Sequence, residues 1–483
     1  SNALWLALHR YRLKFARWTG VSWEWWGLSA HLWLAVGWRD RFPVTGGVGR
    51  FSLLSAAVRN TAANQLWRIL AGPFVLLLIP IYLSAEAQGY WYTFVSLGAL
   101  TVFADLGFSA IIVHFVAHEF ARLEFDRTGF VVGDVQARGR LASLFIFASR
   151  WSFGMLALVV PISIALGLWL MSAGKVGVDW RSAWVIYSVG CGFNFFLTVL
   201  LAFLEGSNRV AEAQRQRLVV SIINALLMVG LLLAGAQLYA LALPMLLSGL
   251  FGVVTLSLRF RATVFELLSS DSVAPASWTH ELFPLLKRYA VSWASGYFIL
   301  QSIPPLVFYF YGPIDAGRVG LSMAIWMAIF SLSNVWIVVV TPKVSMHISL
   351  GNSTQLLYLF RTHFRLSVGT FLVGSVLFLS ALLISQTYSL FAQRLLPIEA
   401  LLILGVGWLA QLVVSALAMF MRAHKEEPLM WISVAMAAQI VISTILLAGQ
   451  FDVRFIAVSF TAGFLIWLPL VVKLYRGYLY RYE

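Results

Sequence analysis

Eight side chains in this sequence have the type and placement to bind or gate a charged solute. Arg68 and Arg150 lie inside hydrophobic stretches, where an ionisable group costs at least ~2.5 kcal/mol on insertion scales and is a functional candidate by default. Asn60, Asn64 and Arg68 recur at i, i+4 and i+8, so they share one polar stripe of a helix facing away from lipid. The planar guanidinium of Arg68 presents paired N–H donors suited to a diphosphate, with Asn64 beside it. Against this stands ordinary snorkelling of Arg68 to the headgroups. Asp105 and Arg150 lie at comparable depth in consecutive stretches and are expected to pair. The pair is either a structural ion pair or a coupling element, in which Asp105 takes a proton or sodium ion and frees Arg150 for substrate. Glu119, Glu205 and Arg209 cluster at expected helix ends, where a Glu205–Arg209 salt bridge would close the inner mouth. Arg318 follows Gly317 at the start of a helix and either clamps phosphate at the outer opening or simply marks the turn. His114 and His118 share a helix face at i, i+4, but they lack acidic or cysteine partners at zinc spacing, so no metal site is expected.

These residues are carried by twelve apolar stretches: 60–84, 90–116, 141–171, 182–204, 218–235, 238–258, 289–311, 319–341, 366–386, 396–421, 428–448 and 454–475. Most reach the ~20 residues needed to cross a ~30 Å hydrocarbon core. Of the 34 Lys and Arg, 27 fall in alternate gaps: the N-terminal segment, 117–140, 205–217, 259–288, 342–365, 422–427 and the C-terminus. The other gaps carry Lys175, Arg181, Arg318, Arg394 and Arg454. The positive-inside rule then puts both termini in the cytoplasm. The expected class is an all-α polytopic membrane protein of twelve transmembrane helices.

The composition, 60% hydrophobic and 11% charged, is far from a soluble domain, where about a quarter of residues are charged. The net charge of +14 sits beside membrane spans and is explained by topology and anionic headgroups rather than by nucleic acid. Cys191, the single cysteine, falls inside a span and excludes a disulfide framework. Residues 1–3 read as a tag-cleavage scar. The rest of 1–59 carries seven tryptophans among its basic residues, with Glu24 and His31 interrupting its most apolar run. It is expected to lie in the cytoplasmic interface rather than to span the membrane.

The gaps are too short for a soluble catalytic domain, and no P-loop or G-x-S-x-G motif is present. Function must reside between the helices, and a transporter is expected rather than an enzyme. The chain also reads as doubled, with an N-lobe of six helices at 60–260, a cytoplasmic linker at 261–287 and a C-lobe with its tail at 288–483. Pro73 and Pro80 in the first helix of one lobe are matched by Pro304 and Pro305 in the other. Each pair is followed by an acid-Ala turn with glycine close behind, Glu86-Ala87-Gln88-Gly89 and Asp315-Ala316-Gly317. An even number of helices per lobe implies parallel repeats, and the matched prolines point to a cavity between them. Tyr90, Trp91, Tyr92, Tyr309 and Tyr311 at the outer ends serve either as an interfacial belt or as glycan guides.

The stretches Asn64-Gln65-Leu66-Trp67-Arg68-Ile69-Leu70, Phe103-Ala104-Asp105-Leu106-Gly107-Phe108, Leu204-Glu205-Gly206, Ser292-Trp293-Ala294-Ser295-Gly296-Tyr297-Phe298 and Gly312-Pro313-Ile314-Asp315-Ala316-Gly317-Arg318-Val319-Gly320 carry a resemblance over about 60–475. Together they resemble the polysaccharide-transport branch of the multidrug/oligosaccharidyl-lipid/polysaccharide exporter superfamily, which includes the O-antigen flippases. The resemblance implies two lobes in a V, set in the bacterial inner membrane. It implies transport of undecaprenyl-diphosphate-linked oligosaccharide from inner to outer leaflet, H+ or Na+ coupling, and polysaccharide polymerase and chain-length proteins as partners. No cofactor is implied. Alternatives within the same fold are a drug/cation antiporter and a lipid II-type flippase; a membrane glycosyltransferase or polymerase is the third class.

Overall fold

The computed structural model describes residues 56–126, 129–172, 178–269, 278–385, 390–424 and 426–480. The expected interfacial segment up to residue 55, the scar and the loop 270–277 therefore lie outside the described residues. Leu54–Glu483 forms one compact unit.

The N-terminal lobe runs α1 (Ala56–Tyr82), α2 (Ala85–Gly98), α3 (Val102–Asp105), α4 (Phe108–Phe120), a hairpin of β1 (Leu123–Phe125) and β2 (Val131–Gly133), α5 (Val135–Met171), α6 (Arg181–Gly206), α7 (Val210–Leu233) and α8 (Tyr239–Arg259). A short α9 (Arg261–Ser269) follows. The second lobe runs α10 (Trp278–Leu300), α11 (Ile303–Tyr311), α12 (Pro313–Ser349), α13 (Ser353–Ser385), α14 (Leu390–Gln393), α15 (Ile398–Arg422), α16 (Met430–Leu447), α17 (Ile456–Leu465) and α18 (Leu468–Leu479).

Among the described residues, eleven helical segments are long and apolar enough to cross a bilayer. The twelfth expected stretch, 289–311, is the pair α10 and α11, broken at Gln301–Ser302. α11 has nine residues, and α10 begins with Glu281 and Lys287 in its first half, so neither piece alone has the apolar length of a span. Each helix presents an apolar stripe outward. On α1 it is Leu66, Leu70, Phe74, Leu77 and Ile81, the i+3/i+4 spacing of one lipid-facing line.

The repeat is visible in the packing. In the first lobe α1 packs on α7, α7 on α8, α6 on α8 and α4 on α6; in the second, α10 packs on α16, α16 on α17, α15 on α17 and α12 on α15. These are the same partnerships shifted by six spans. A side chain-to-backbone bond staples the fourth-to-sixth pairing in each lobe: Asn194 Nδ2 donates to Met245 O at 2.8 Å, and Thr461 Oγ1 to Ile403 O at 2.7 Å.

The prolines do not act as the sequence suggests. α1 runs unbroken through Pro73 and Pro80, which a membrane helix tolerates when neighbours satisfy the freed carbonyls. Pro304 and Pro305 occupy the first turn of α11, where the missing N–H has no intrahelical partner in any case. The sharper interruption lies in the second span, at Leu106 (φ 44°) and Gly107 (φ 83°). Here the Phe103–Phe108 stretch turns the helix instead of continuing it. A Cβ on Gly107 would meet Tyr289 at 2.9 Å and Trp293 at 3.2 Å, so the bend rests on α10 of the other lobe.

The expected linker is partly helical: α9 fills 261–269, and α10 starts at Trp278. The 117–140 gap holds the β-hairpin rather than an amphipathic helix. Val131 N donates to Glu266 at 2.8 Å and Thr263 Oγ1 to Gly129 O at 2.6 Å, docking the hairpin on α9.

Candidate functional site

The loops alternate between two ends. In the first lobe the hairpin and the start of α5 meet the start of α7, the end of α8, α9 and the start of α10; in the second the start of α13 meets the ends of α15 and α18. These helix ends carry most of the Lys and Arg and form the basic face; the alternate ends form the opposite face.

Asn60 and Asn64 do share one face of α1, and that face is turned onto α7. Asn60 Nδ2 donates to Ala211 O at 2.9 Å and the buried Asn64 to Gln214 Oε1 at 3.2 Å. Gln214 in turn donates to Glu205 Oε1 at 3.0 Å, and Arg217 holds the same carboxylate through both its Nη atoms. Sequence reasoning placed Asn64 with substrate and Glu205 in gating without joining them. The structure joins them in one chain across α1, α7 and α6. The backbone position of Arg68 lies about one turn beyond Asn64 along α1, and its side chain is outside the described ones.

The expected Glu205–Arg209 bridge is not formed. Arg209 lies beyond the end of α6 and turns away, pairing with Glu212 at 3.1 Å. Its guanidinium covers the rings of Phe125 (3.9 Å) and Phe260 (5.1 Å), a cation–π arrangement that joins hairpin to α8. Arg217, one helical face round α7, takes Glu205 instead. Gln214 and Arg217 were missed because their 205–217 gap reads as generic basic loop until α7 is seen to begin at Val210.

Asp105 and Arg150 do not pair. At the helix break the Asp105 carboxylate folds onto the next turn, accepting from Ser109 N at 3.0 Å and from Ser109 Oγ. This is capping geometry, which satisfies an orphan amide of α4. Arg150 stands exposed on α5 with no ion pair or hydrogen bond to a described residue. It lies fifteen residues from the start of α5 at Val135, ~22 Å at 1.5 Å per residue.

Glu119, buried at the end of α4, accepts from Arg140 Nε at 2.9 Å. Arg140 reaches across the lobes with its Nη2 to Glu281 of α10 at 3.2 Å and lies 4.8 Å over the Trp278 ring. Trp278 is buried, and its Nε1 donates to Ser143 Oγ at 2.7 Å. This is an interlobe clasp at the basic face. His118 lies 3.8 Å from Glu119. Among the described residues no group of three or more His, Cys, Asp or Glu is placed to hold a metal ion.

At the opposite face the two matched turns meet each other. Counted from the caps Ser84 and Gly312, Gly89 and Gly317 are the fifth residues of α2 and α12. A Cβ on Gly89 would lie 1.8 Å from Pro313 O, one on Gly317 2.9 Å from Gly89 N, and one on Gly320 2.3 Å from Tyr92 Cβ. The helices therefore touch backbone to backbone. The buried Gln88 donates through Nε2 to Gly317 O at 2.8 Å and Arg394 O at 3.2 Å, and Arg394 Nη2 donates to Leu83 O at 3.0 Å. Burial lowers the Arg394 pKa from the usual guanidinium value. Sequence reasoning treated Arg394 as one outer-loop charge, and no local feature of the sequence joins its loop to the first lobe. Tyr90, Trp91 and Tyr92 are buried in this seal, with Tyr90 stacked on Trp180 (5.7 Å) and edge-on to Phe308 (4.9 Å), so they are not free to guide a glycan here. Arg318 pairs with Asp315 at 3.2 Å and donates to Gln393 O at 3.3 Å. It lines a 340 Å³ cleft with Tyr311, Asp452 and Arg454, an electrically balanced group rather than a bare phosphate clamp.

No protein-family model matches this chain, and no curated protein matches it either. Solved structures do share its fold. The lipid II flippase MurJ in an inward closed conformation aligns at 14% identity, covering 86% of this chain and 87% of its own, with TM-score 0.59. An outward-facing multidrug resistance MATE family transporter of the MOP superfamily aligns at 14% identity, covering 88% of this chain and 96% of its own, with TM-score 0.55. The inward-facing conformation of such a transporter gives 13%, 88%, 98% and 0.54. The chain has the two-lobed fold of these transporters, as the sequence resemblance implied.

Proposed function

We propose that this protein is a transporter that moves a lipid-linked, diphosphate-bearing oligosaccharide across the bacterial inner membrane by alternating access of its two lobes. In this reading the basic face and both termini are cytoplasmic, the carrier lipid is undecaprenyl diphosphate, and an H+ or Na+ gradient drives the cycle. A polysaccharide polymerase and chain-length proteins then act on the delivered product.

The observation that carries the anionic class of cargo is the state of the deep charges. Arg150 stands exposed and unpaired among the described residues, whereas Glu119 and Glu205 are held in ion pairs and Asp105 is folded onto Ser109. A drug/cation antiporter on this fold would need the reverse, a free carboxylate facing a cationic solute. An unpaired guanidinium within an apolar helix favours a phosphate-bearing partner. That a MurJ structure described as a lipid II flippase shares the fold agrees with lipid-linked cargo.

The test is flipping of an undecaprenyl-diphosphate glycan in proteoliposomes. Arg150→Ala and Arg68→Ala should each reduce it at least tenfold at unchanged protein level. Arg68→Lys should restore it only in part, because lysine lacks the bidentate fork. Binding of the same lipid should weaken as salt rises. Full transport in both alanine variants would refute this cargo site.

A further inference from the structure

We infer that the basic face of the second lobe is a docking site for an anionic phospholipid of the adjoining leaflet, whose headgroup phosphate is held by Arg361 and Arg365 of α13 with Lys473 and Arg476 of α18.

Helix length sets the depth of these residues. α13 has 33 residues, ~50 Å, against a ~30 Å hydrocarbon core. If its apolar part, 366–385, fills the core, Arg365 sits at the phosphate level and Arg361 one turn beyond. α13 and α18 meet at this depth through one ring pair, Phe360 and Tyr475, with centroids 5.8 Å apart, and Arg361 lies within electrostatic reach of Tyr475. Arg361, Arg365, Lys473 and Arg476 are all exposed. Each helix also continues its cations into an exposed apolar line: Arg361 and Arg365 lead to Leu372, Val376 and Leu383, and Lys473 leads to Leu470 and Ile466. A headgroup on the cations would leave acyl chains lying along those lines.

Positive residues at the ends of spans are common, so their pairing decides the matter. At the same face of the first lobe Arg138, Arg140, Arg209, Arg217 and Arg259 each have a carboxylate partner, while Arg122 and Arg261 stand exposed without one among the described residues. In the second lobe none of the four docking cations has an ion pair or hydrogen bond among the described residues. The sequence has no Asp or Glu between Asp315 and Glu399. The carboxylates nearest the groove are engaged, Glu427 by Arg422 and Glu426 by the Tyr478 hydroxyl. The first lobe neutralises most of the arginines on this face internally; the four docking cations of the second leave their charge to be neutralised from outside, and the two apolar lines favour a lipid over a soluble anion.

The experiment is native mass spectrometry of the full-length purified protein, with dioleoylphosphatidylglycerol and dioleoylphosphatidylcholine in competition. The wild-type protein should retain the phosphatidylglycerol preferentially. At roughly fivefold per basic residue, Arg361→Gln with Arg365→Gln should cut that preference roughly thirtyfold. Arg361→Lys with Arg365→Lys should keep it, because a monophosphate needs only a point charge. Arg181→Gln, which removes an exposed charge at the opposite face, should leave it unchanged. Equal retention of both lipids by the wild type, or an equal loss in Arg181→Gln, would overturn the site. Displacement of phosphatidylglycerol by substoichiometric undecaprenyl diphosphate would overturn the assignment to bulk phospholipid. Neither result bears on the transport test above, which reads flipping and other residues.

Discussion

Replacing Gly89 with alanine tests whether the contact of α2 and α12 is a seal. The added Cβ would lie 1.8 Å from Pro313 O and 2.5 Å from Pro313 C, whereas ordinary contact begins at 3.4 Å. The obstacle is backbone, so no rotamer change relieves it, and the helices must part by about 1.6 Å, the difference between those distances. Overpacking of this kind costs about 1–3 kcal/mol. The separation also stretches the 2.8 Å bond from Gln88 to Gly317 O past hydrogen-bond range, adding about 1 kcal/mol or more for a buried donor left unmade. A penalty of roughly 2–4 kcal/mol on the closed seal shifts the closed-to-open ratio by roughly thirtyfold to nearly a thousandfold at 1.4 kcal/mol per decade. Spin labels at the exposed Glu86 and Ile314 should report this as a new, longer distance population. Gly154→Ala, on α5 with open space around its Cβ, is the control and should change nothing. An unchanged distance distribution and melting temperature in Gly89→Ala would refute the seal.

Further outcomes follow from individual contacts. Glu205→Gln strands Arg217 in a half-buried site and should cost about 1–3 kcal/mol, between an exposed and a buried pair; adding Arg217→Gln should recover part of it, and strict additivity of the two melting shifts would exclude the pair. Asp105→Ala should lose about 1 kcal/mol of capping, and Asp105→Asn should lose less. Combining Asp105→Asn with Arg150→Gln should be additive within about 0.5 kcal/mol, since the two do not touch; a larger coupling would restore the ion pair expected from sequence. Asp452 accepts from the Arg454 backbone and side chain, which holds its pKa below the usual carboxylate range. Its contribution is therefore present above the unfolded value of ~3.9 and lost as pH falls through the folded value. Amide exchange at 452–455 should accelerate only below about pH 4, and a flat profile there would exclude the effect.

Span number, doubling and the two-faced distribution of charge were legible because apolar runs and Lys/Arg counts are one-dimensional properties. The Gly89 and Gly317 turns were legible as a repeat, but not as partners, since nothing in the local sequence says that two similar turns face each other. Pairing was the part that sequence missed. Asp105 looked like a deep acid in need of a base, and a two-residue change of backbone hand at Leu106 and Gly107 gave it an amide instead. Glu205 and Arg209 are four residues apart and looked coupled; the helix ended between them, at Gly206, and sent Arg209 to Glu212. Depth is readable from hydropathy, while azimuth depends on where helices break.

The interlobe contacts at the two faces are unequal in kind, and this predicts which end yields first. At the basic face the lobes are joined through side chains. The Arg140–Glu281 bridge is partly solvated and worth at most about 1 kcal/mol, so the anchor is Trp278, whose indole fills a site against Phe115 and Ser143. Side chains can swing out while both backbones stay helical. At the opposite face Gly89 and Gly317 bring backbone against backbone, and nothing there can open without moving whole helices. Amide exchange should therefore show the start of α10 opening before α2 or the first turns of α12. Trp278→Ala, at about 3–5 kcal/mol for an aromatic core truncation, should release the basic face while leaving exchange at 85–92 and 313–320 unchanged. Faster exchange in α2 than in α10 in the unmodified protein would reverse the order and place the weaker gate at the opposite face.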